Sequence, residues 1–349
     1  VKAVEPRRVA SGGMVNSVVV ENDGQYEAVE GMGADRDPAT LSKQEIRDIV
    51  KAAGIVGMGG AGFPTNVKLS PKNEDAIEYI LINGAECEPY LTSDYRCMME
   101  DPEKIIGGLK VVLQLFDKAK GVIGIENNKP DAIAFLRELS KHYEGVRVTP
   151  LKVRYPQGGE KQLIAAVTGR QVPPPPGLPI DVGAVVCNAS TTVAVYEAVQ
   201  KRKPLVERIV TVTGKGMKTP SNYLVRMGTP IASLVEAAGG LPEGDVKVLN
   251  GGPMMGRAMV DLSSPVTKGC SGITVLGGAE AQRGAESACI KCAKCVQACP
   301  MGLEPYLLSK LSRKQLWERL EGEEVTSCIE CGCCQFTCPA DLPLLDYIR

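Results

Sequence analysis

Residues Tyr79 to Pro89 read YILINGAECEP, a short apolar run that gives way to polar side chains, among them the carboxylates Glu86 and Glu88. The run has the length and composition of a β-strand. The carboxylates then stand at its C-terminal end, where open α/β sheets bind ligands. Working outward, the pattern repeats. LKVVLQLF reads as helix and GVIGIENN as strand, DAIAFLRELSKHY as helix and VRVTPLKV as strand, and AVVCN leads into the helix-like STTVAVYEAVQ. This alternation predicts an α/β domain on a mostly parallel sheet. The segment from Arg154 to Gln162, RYPQGGEKQ, follows one of these strands and opens the helix LIAAVTG, and Pro173 to Pro176 mark a stiff loop.

The chain has 349 residues, enough for two or three domains. Forty basic and 41 acidic side chains leave a net charge of -1, which gives no electrostatic argument for nucleic acid or an anionic membrane surface. No apolar run reaches the roughly 18 residues needed to cross a bilayer, so no direct membrane span is expected. The opening VKAVEPRRVA has no initiator Met and no apolar segment of the kind that marks a secretory leader. His142, the only histidine, sits in the polar context LSKHYEG and is expected at an exposed helix end, so histidine-based triads and mixed zinc sites are disfavoured.

Nine of the thirteen cysteines lie between Cys289 and Cys338. CIKCAKCVQACP (289–300) and CIECGCCQFTCP (328–339) both fit C-x-x-C-x-x-C-x-x-x-C-P, the pattern of bacterial two-cluster ferredoxins. Three closely spaced thiolates can wrap a corner of a 4Fe-4S cube, and in this arrangement the fourth Cys of each run ligates the other cluster. The expected ligand sets are Cys289, Cys292, Cys295 and Cys338 for one cluster, and Cys328, Cys331, Cys334 and Cys299 for the other. A pair of zinc knuckles or free thiols is the alternative. Cys333 falls outside the pattern and reads as a small filler. Between the runs, Leu307, Leu308, Leu311, Leu316, Trp317 and Leu320 approximate a helical stripe that ends at Gly322, with Trp317 expected in the core.

The run GMGGAGFPTNVK (57–68) packs four glycines into six residues. Glycines let a backbone approach a flat or anionic ligand closely, and Lys68 adds a charge for a phosphate. A tight turn explains the same glycines. The run is neither a Walker A loop nor G-x-G-x-x-G after a clear strand, so a standard dinucleotide-binding unit is not indicated.

Together, GMGGAGFPTNVK, NGAECEP, IENNKP, YPQGGEKQL, GGPMMG and the paired cysteine runs resemble the C subunit of the Rnf electron-transport complex, an ion-translocating NADH:ferredoxin oxidoreductase, from about residue 45 onward. The first half is also similar to the FMN- and NADH-binding subunit of respiratory complex I. The resemblance implies that FMN takes hydride from NADH and passes single electrons to the clusters, with no side chain needed as acid or base. It implies a flavin loop of Gly57, Gly59, Gly60, Gly62 and Lys68, and a strand-end motif of Asn83, Glu86 and Glu88, in which Ala85 replaces an Asp. Tyr155, Gly158, Gly159 and Glu160 match a Y-x-x-G-E-E segment in which Gly159 replaces the first Glu. Asn188 and Thr191 match an N-x-x-T segment near the flavin.

In residues 1–33, Val18 to Val20 followed by Asn22-Asp23-Gly24 read as a strand and turn, expected to be the remnant of an N-terminal β-domain. For the rest the resemblance implies a domain order, with 34–205 the FMN/NADH-binding α/β domain and 206–268 a soluble-ligand-binding β-grasp domain. A linker (269–284) and a helical two-cluster ferredoxin-type domain (285–349) complete it. ERIVTVTGKG, PSNYLVRMGTPIASLVEAAGG and VKVLNGGPMMG read as strand, helix and strand, and the unit they form is expected to be a spacer docking the cluster domain. The implied partners are other subunits of a membrane complex, including an iron-sulfur subunit, with this chain peripheral on the cytoplasmic face. A free-standing flavin and iron-sulfur reductase, such as a microcompartment cobalamin reductase, and a non-enzymatic electron-transfer module are the competing readings.

Overall fold

The computed structural model describes residues 1–349 except Ser11 and Ala61. Strands β1 (Ala3–Arg8) and β2 (Met14–Val19) pair antiparallel as an N-terminal hairpin. Helix α1 (Lys43–Ala52) starts with a capping box: the Ser42 hydroxyl accepts from the Glu45 N–H, and the Glu45 carboxylate accepts from the Ser42 N–H at 2.8 Å. The short α2 (Thr65–Lys68) follows the glycine run.

The first sheet is built from β3 (Tyr79–Gly84), β4 (Lys120–Glu126), β5 (Val146–Leu151) and β6 (Ala184–Asn188), all parallel, in the order β5-β4-β3-β6. Its helices are α3 (Ser93–Glu100), α4 (Pro102–Leu113), α5 (Pro130–Ser140), α6 (Glu160–Thr168) and α7 (Ala189–Lys201). Ile80 and Ile82 of β3 enter a core shared with α1, α4, α5 and α7. Leu81, pointing the other way, packs with Leu163 and Ile164 of α6. Both faces are covered, which explains why these strands read as unbroken apolar runs. Helices α4 and α7 touch at backbone distance, since a Cβ on Gly108 would lie 2.1 Å from the Thr192 carbonyl oxygen.

A second, mixed sheet contains β7 (Glu207–Thr213), β8 (Ser221–Arg226), β9 (Val246–Asn250), β10 (Arg257–Ala258) and β11 (Gly272–Gly277), in the order β10-β9-β11-β7-β8. It carries one helix, α8 (Ile231–Ala237), and Ala10, just after β1, joins its core. Two expectations need correction here. Ser221–Arg226, read as the start of a helix, is a strand paired antiparallel with β7, and the helix begins only after Gly228 and Pro230. Residues 269–284, expected as a linker, contain β11, the central strand of this sheet, whose Gly272–Val275 run is buried.

The C-terminal unit is helical, with α9 (Lys294–Ala298), α10 (Pro305–Arg313), α11 (Trp317–Gly322), α12 (Cys333–Phe336) and α13 (Leu344–Ile348). Its core is small: Leu303, Leu308, Leu311 and Leu320. Trp317 does not join it but is 61% exposed, because the expected single stripe is broken into two helices at Lys314 to Leu316. Gly322 is the last residue of α11 rather than its cap, and the left-handed turn falls on Glu324.

Candidate functional site

The polar groups singled out in the sequence gather at the C-terminal edge of the parallel sheet. The glycine run is closed at its base by an antiparallel bridge between Val56 and Pro64, with Gly57 N–H donating to the Phe63 carbonyl at 2.9 Å. It rests on the start of α7. The Met58 N–H donates to Thr191 Oγ1 at 2.9 Å, and Asn188 Oδ1 caps α7 by accepting from the Thr191 N–H. A Cβ on Gly59 would stand 2.7 Å from Asn188 Nδ2, so any larger residue there would displace the side chain that caps α7. A Cβ on Gly60 or Gly62 would meet nothing within 4 Å, and Gly62 has φ +73°. That side of the loop is an open cradle able to take a flat ligand. Ala61 lies outside the described residues.

Lys68, at the end of α2, donates to Glu160 at 2.8 Å and to the Val186 carbonyl at 3.0 Å. Asn83 Nδ2 donates to the Gly158 carbonyl at 2.8 Å, and the Gly158 N–H points at Cys87 Sγ at 3.2 Å. A Cβ on Gly159 would collide with the Gln162 side chain at 2.6 Å. Thus the glycine loop, Asn188 and Thr191 form one side of the site, Lys68 with Glu160 a corner, and Asn83 with Gly158 the floor.

Glu86 turns back at φ +48° and accepts from the Asp94 and Tyr95 N–H groups at the start of α3, at 2.7 and 3.0 Å. Asp94 in turn accepts from Asn188 Nδ2 at 2.6 Å and Ser190 Oγ at 2.7 Å. Burial, then the nearby Asp94 carboxylate, push the Glu86 carboxyl up to about 8, against the pull of the two backbone donors and Lys129. Burial likewise pushes the Cys87 thiol up to about 11. Asp94, Ser190 and Lys129, which donates to the Ala85 carbonyl, were not singled out from the sequence. Asp94 stands one residue inside a helix start next to a matched motif, and that was the available signal.

Two of the expected residues point elsewhere. Glu88 accepts from the Met254 and Met255 N–H groups of the second domain at 2.9 and 2.8 Å, leaving its other oxygen buried without a partner. Tyr155 donates its hydroxyl to the Cys331 carbonyl of the third domain at 2.7 Å. The Met254 carbonyl also abuts Gly332, where a Cβ would stand at 2.8 Å. Glu88, Tyr155, Met254 and Cys331 therefore mark the point where the three domains meet.

In the third domain, Cys299, Cys328, Cys331, Cys333 and Cys334 line one pocket with Pro300, Leu303, Leu308 and Ile348. Cys299 is within electrostatic reach of Cys328 and Cys334, and Cys338 of Cys295. Cys331, Cys333 and Cys334 are buried, whereas Cys289 and Cys292 are exposed. Among the described residues, no three His, Cys, Asp or Glu side chains close tightly enough to hold a single metal ion. The pocket's cysteines supply the thiolate donor set that a 4Fe-4S cluster takes.

Family models match each unit: a Nuo51 FMN-binding domain over residues 50–197, an SLBB domain over 209–258, and a 4Fe-4S dicluster domain over 288–343. The chain is 45% identical over 313 residues to the C subunit of the proton-translocating ferredoxin:NAD(+) oxidoreductase complex of Clostridium ljungdahlii, covering 89% of this chain and 68% of the relative. The Na(+)-translocating counterpart of Acetobacterium woodii is 41% identical over 91% of this chain and 72% of its own length. The chain belongs to the C-subunit family of Rnf-type ion-translocating oxidoreductases. The Rhodobacter capsulatus member, 39% identical, is longer, and this chain spans 58% of it. Among solved structures, a chain of an NAD+-reducing NiFe-hydrogenase in the H2-reduced state has the same fold, with a TM-score of 0.61 at 17% identity over 90% of this chain and 63% of that one. This member of the Rnf-type family therefore joins an FMN-binding domain, an SLBB domain and a dicluster domain. No helix among the described residues is long and apolar enough to cross a membrane.

Proposed function

We propose that this chain exchanges electrons between NAD(H), FMN and two 4Fe-4S clusters as the C subunit of an Rnf-type complex. The observation that carries the reading is the junction: the open glycine cradle and the buried cysteine pocket sit in domains joined directly through Tyr155 and Cys331. FMN, when bound, can receive two electrons as hydride and release them singly, which matches a two-electron carrier to one-electron clusters.

The chain's own residues then have separate tasks. Gly57, Gly59, Gly60 and Gly62 present backbone to the ring system, and Lys68 faces the phosphate. Asn83, Glu86, Asn188 and Thr191 fix the strand-end and loop geometry beneath it. Glu88, Tyr155, Gly158, Gly159 and Glu160 shape the nucleotide side, Glu88 from behind, where the Met254 and Met255 N–H groups hold it in the domain junction. Cys299, Cys328, Cys331 and Cys334 hold the cluster next to the flavin domain. Cys289, Cys292 and Cys295, with Cys338, hold the one near the surface, from which electrons pass to or from an iron-sulfur partner subunit. The relatives are named as subunits of complexes, and this reading makes the chain a peripheral subunit held by protein contacts at the cytoplasmic face.

The test is anaerobic reconstitution of the purified chain. It should take up one FMN and about eight iron and eight sulfide per chain, and NADH should bleach the flavin before the clusters. Cluster uptake without FMN would leave only an electron-transfer module. If washed native membranes never retain the chain and it fractionates alone with full activity, a free-standing reductase is favoured.

A further inference from the structure

We infer that Arg208, supplied by β7 of the second sheet, is a positioning residue for the glycine loop and places beneath the flavin a buried positive charge that strengthens its hold on electrons. The inference rests on the flavin reading of that loop. Arg208 lies on β7 and is 3% exposed. Its guanidinium reaches across the domain boundary, donating from Nη1 to the Met58 carbonyl at 3.2 Å and to the Lys268 carbonyl, and from Nε to the Ile209 carbonyl at 3.2 Å. The Met58 N–H is held from the opposite side by Thr191. Both backbone groups of the residue before Gly59 are thus fixed, one by each domain.

The neighbouring segment of the second domain extends this support. Lys268 donates from Nζ to the Gly54 carbonyl at 2.6 Å, and a Cβ on Gly269 would sit 3.8 Å from the Gly60 carbonyl oxygen. The domain expected as a spacer forms the underside of the loop.

The acceptors around Arg208 are neutral carbonyls, and among the described residues it makes no ion pair. Asp94 is the acidic group that faces it, with the thiols of Cys97 and Cys270 nearby, and both Asp94 oxygens are already engaged by Asn188 and Ser190. Burial draws the guanidinium's affinity for its proton below the usual value. A buried cation without a contacting anion is costly to the fold. It is explained if a negative ligand arrives on the other face of the loop. FMN carries a phosphate, and its ring becomes more negative when reduced, so the charge favours the reduced state.

The experiment compares the cluster-loaded full chain with Arg208→Gln and Arg208→Lys. FMN affinity is read by quenching of flavin fluorescence, and the flavin midpoint potential by optical redox titration. Arg208→Gln should weaken FMN roughly tenfold, the scale of one charge-assisted hydrogen bond, and lower the potential. Arg208→Lys should restore the potential but only part of the affinity, because one ammonium nitrogen cannot replace both the Nη1 bonds and the separate Nε bond to the Ile209 carbonyl that fixes the guanidinium plane. Unchanged affinity and potential in Arg208→Gln overturn the inference, as does an equal potential drop in both variants, which would mark a packing role. If the parent chain takes up no FMN, the flavin reading itself has failed, a result distinct from either. Should Arg208→Gln lose its iron or its melting transition, Lys268→Met removes the other support. It should weaken FMN several-fold with iron retained, and unchanged affinity there counts against the inference.

Discussion

Lys68 shows what one residue discloses and what it conceals. Its place after the glycine run marked it as a phosphate ligand, but its ion pair with Glu160, ninety-two positions away, follows only from how α2 and α6 meet over β6. That pair holds the ammonium at the sheet edge, where the phosphate of the proposed FMN would compete for it. Lys68→Ala should weaken FMN about tenfold and riboflavin much less; an equal loss for both in a fluorescence titration would remove the phosphate from its role. Glu86 was equally legible as a strand-end carboxylate, while its charge state was not, because burial beside Asp94 decides it. Folded, its carboxyl keeps its proton to about pH 8; unfolded, it ionises near 4.5. Between those values the folded chain holds a proton that the unfolded chain has released, so raising the pH favours unfolding. In flavin-free protein, thermal melts from pH 5 to 8.5 should show the native chain losing stability relative to Glu86→Gln, with the gap constant above about pH 9. A gap that does not move with pH would place the carboxyl in its ordinary range.

At the scale of elements, the parallel sheet was readable because strands covered on both faces keep unbroken apolar runs and the helices between them are amphipathic. The second sheet was less so. Ser221–Arg226 has side chains that suit either state, and its pairing with β7 decides between them. The break of α10 from α11 left Trp317 outside, where periodicity alone had put it in the core. The α4–α7 contact is a property of two elements together. Gly108 lets α4 approach until its backbone meets Thr192, and α7 carries Asn188 and Thr191 at its start. Gly108→Ala should force the helices apart, costing about 1–3 kcal/mol, seen as a lowered melting temperature. It should also loosen FMN, since the same helix seats the glycine loop. A normal melt with weakened flavin would show that α7 slides without strain.

Across the whole molecule, the three units were legible as motifs, but their meeting at Glu88, Tyr155 and Cys331 was not, because each contact joins residues whose local sequence serves another purpose. Gly60→Val, in open space on the loop, should abolish FMN binding while leaving the full iron content, since the clusters belong to another unit. Loss of iron in that variant would mean that the units do not fold independently. Cys299→Ala should drop iron from about eight to about four, with the EPR signal of the surface cluster retained; loss of that signal instead would refute the exchange of fourth ligands. That exchange has a consequence for how the protein is made. A unit whose central cluster is Leu303, Leu308, Leu311 and Leu320 has little to hold it closed, and small domains of this kind depend on staples. If Cys299 binds with the second run and Cys338 with the first, the clusters fasten one loop inside another, and neither loop shuts before both runs have been synthesised. The tail then matures only when iron and sulfide are supplied. A cell short of either would produce a chain whose flavin half is sound and whose wiring is missing, a subunit that fits into its complex and blocks the circuit it was meant to complete.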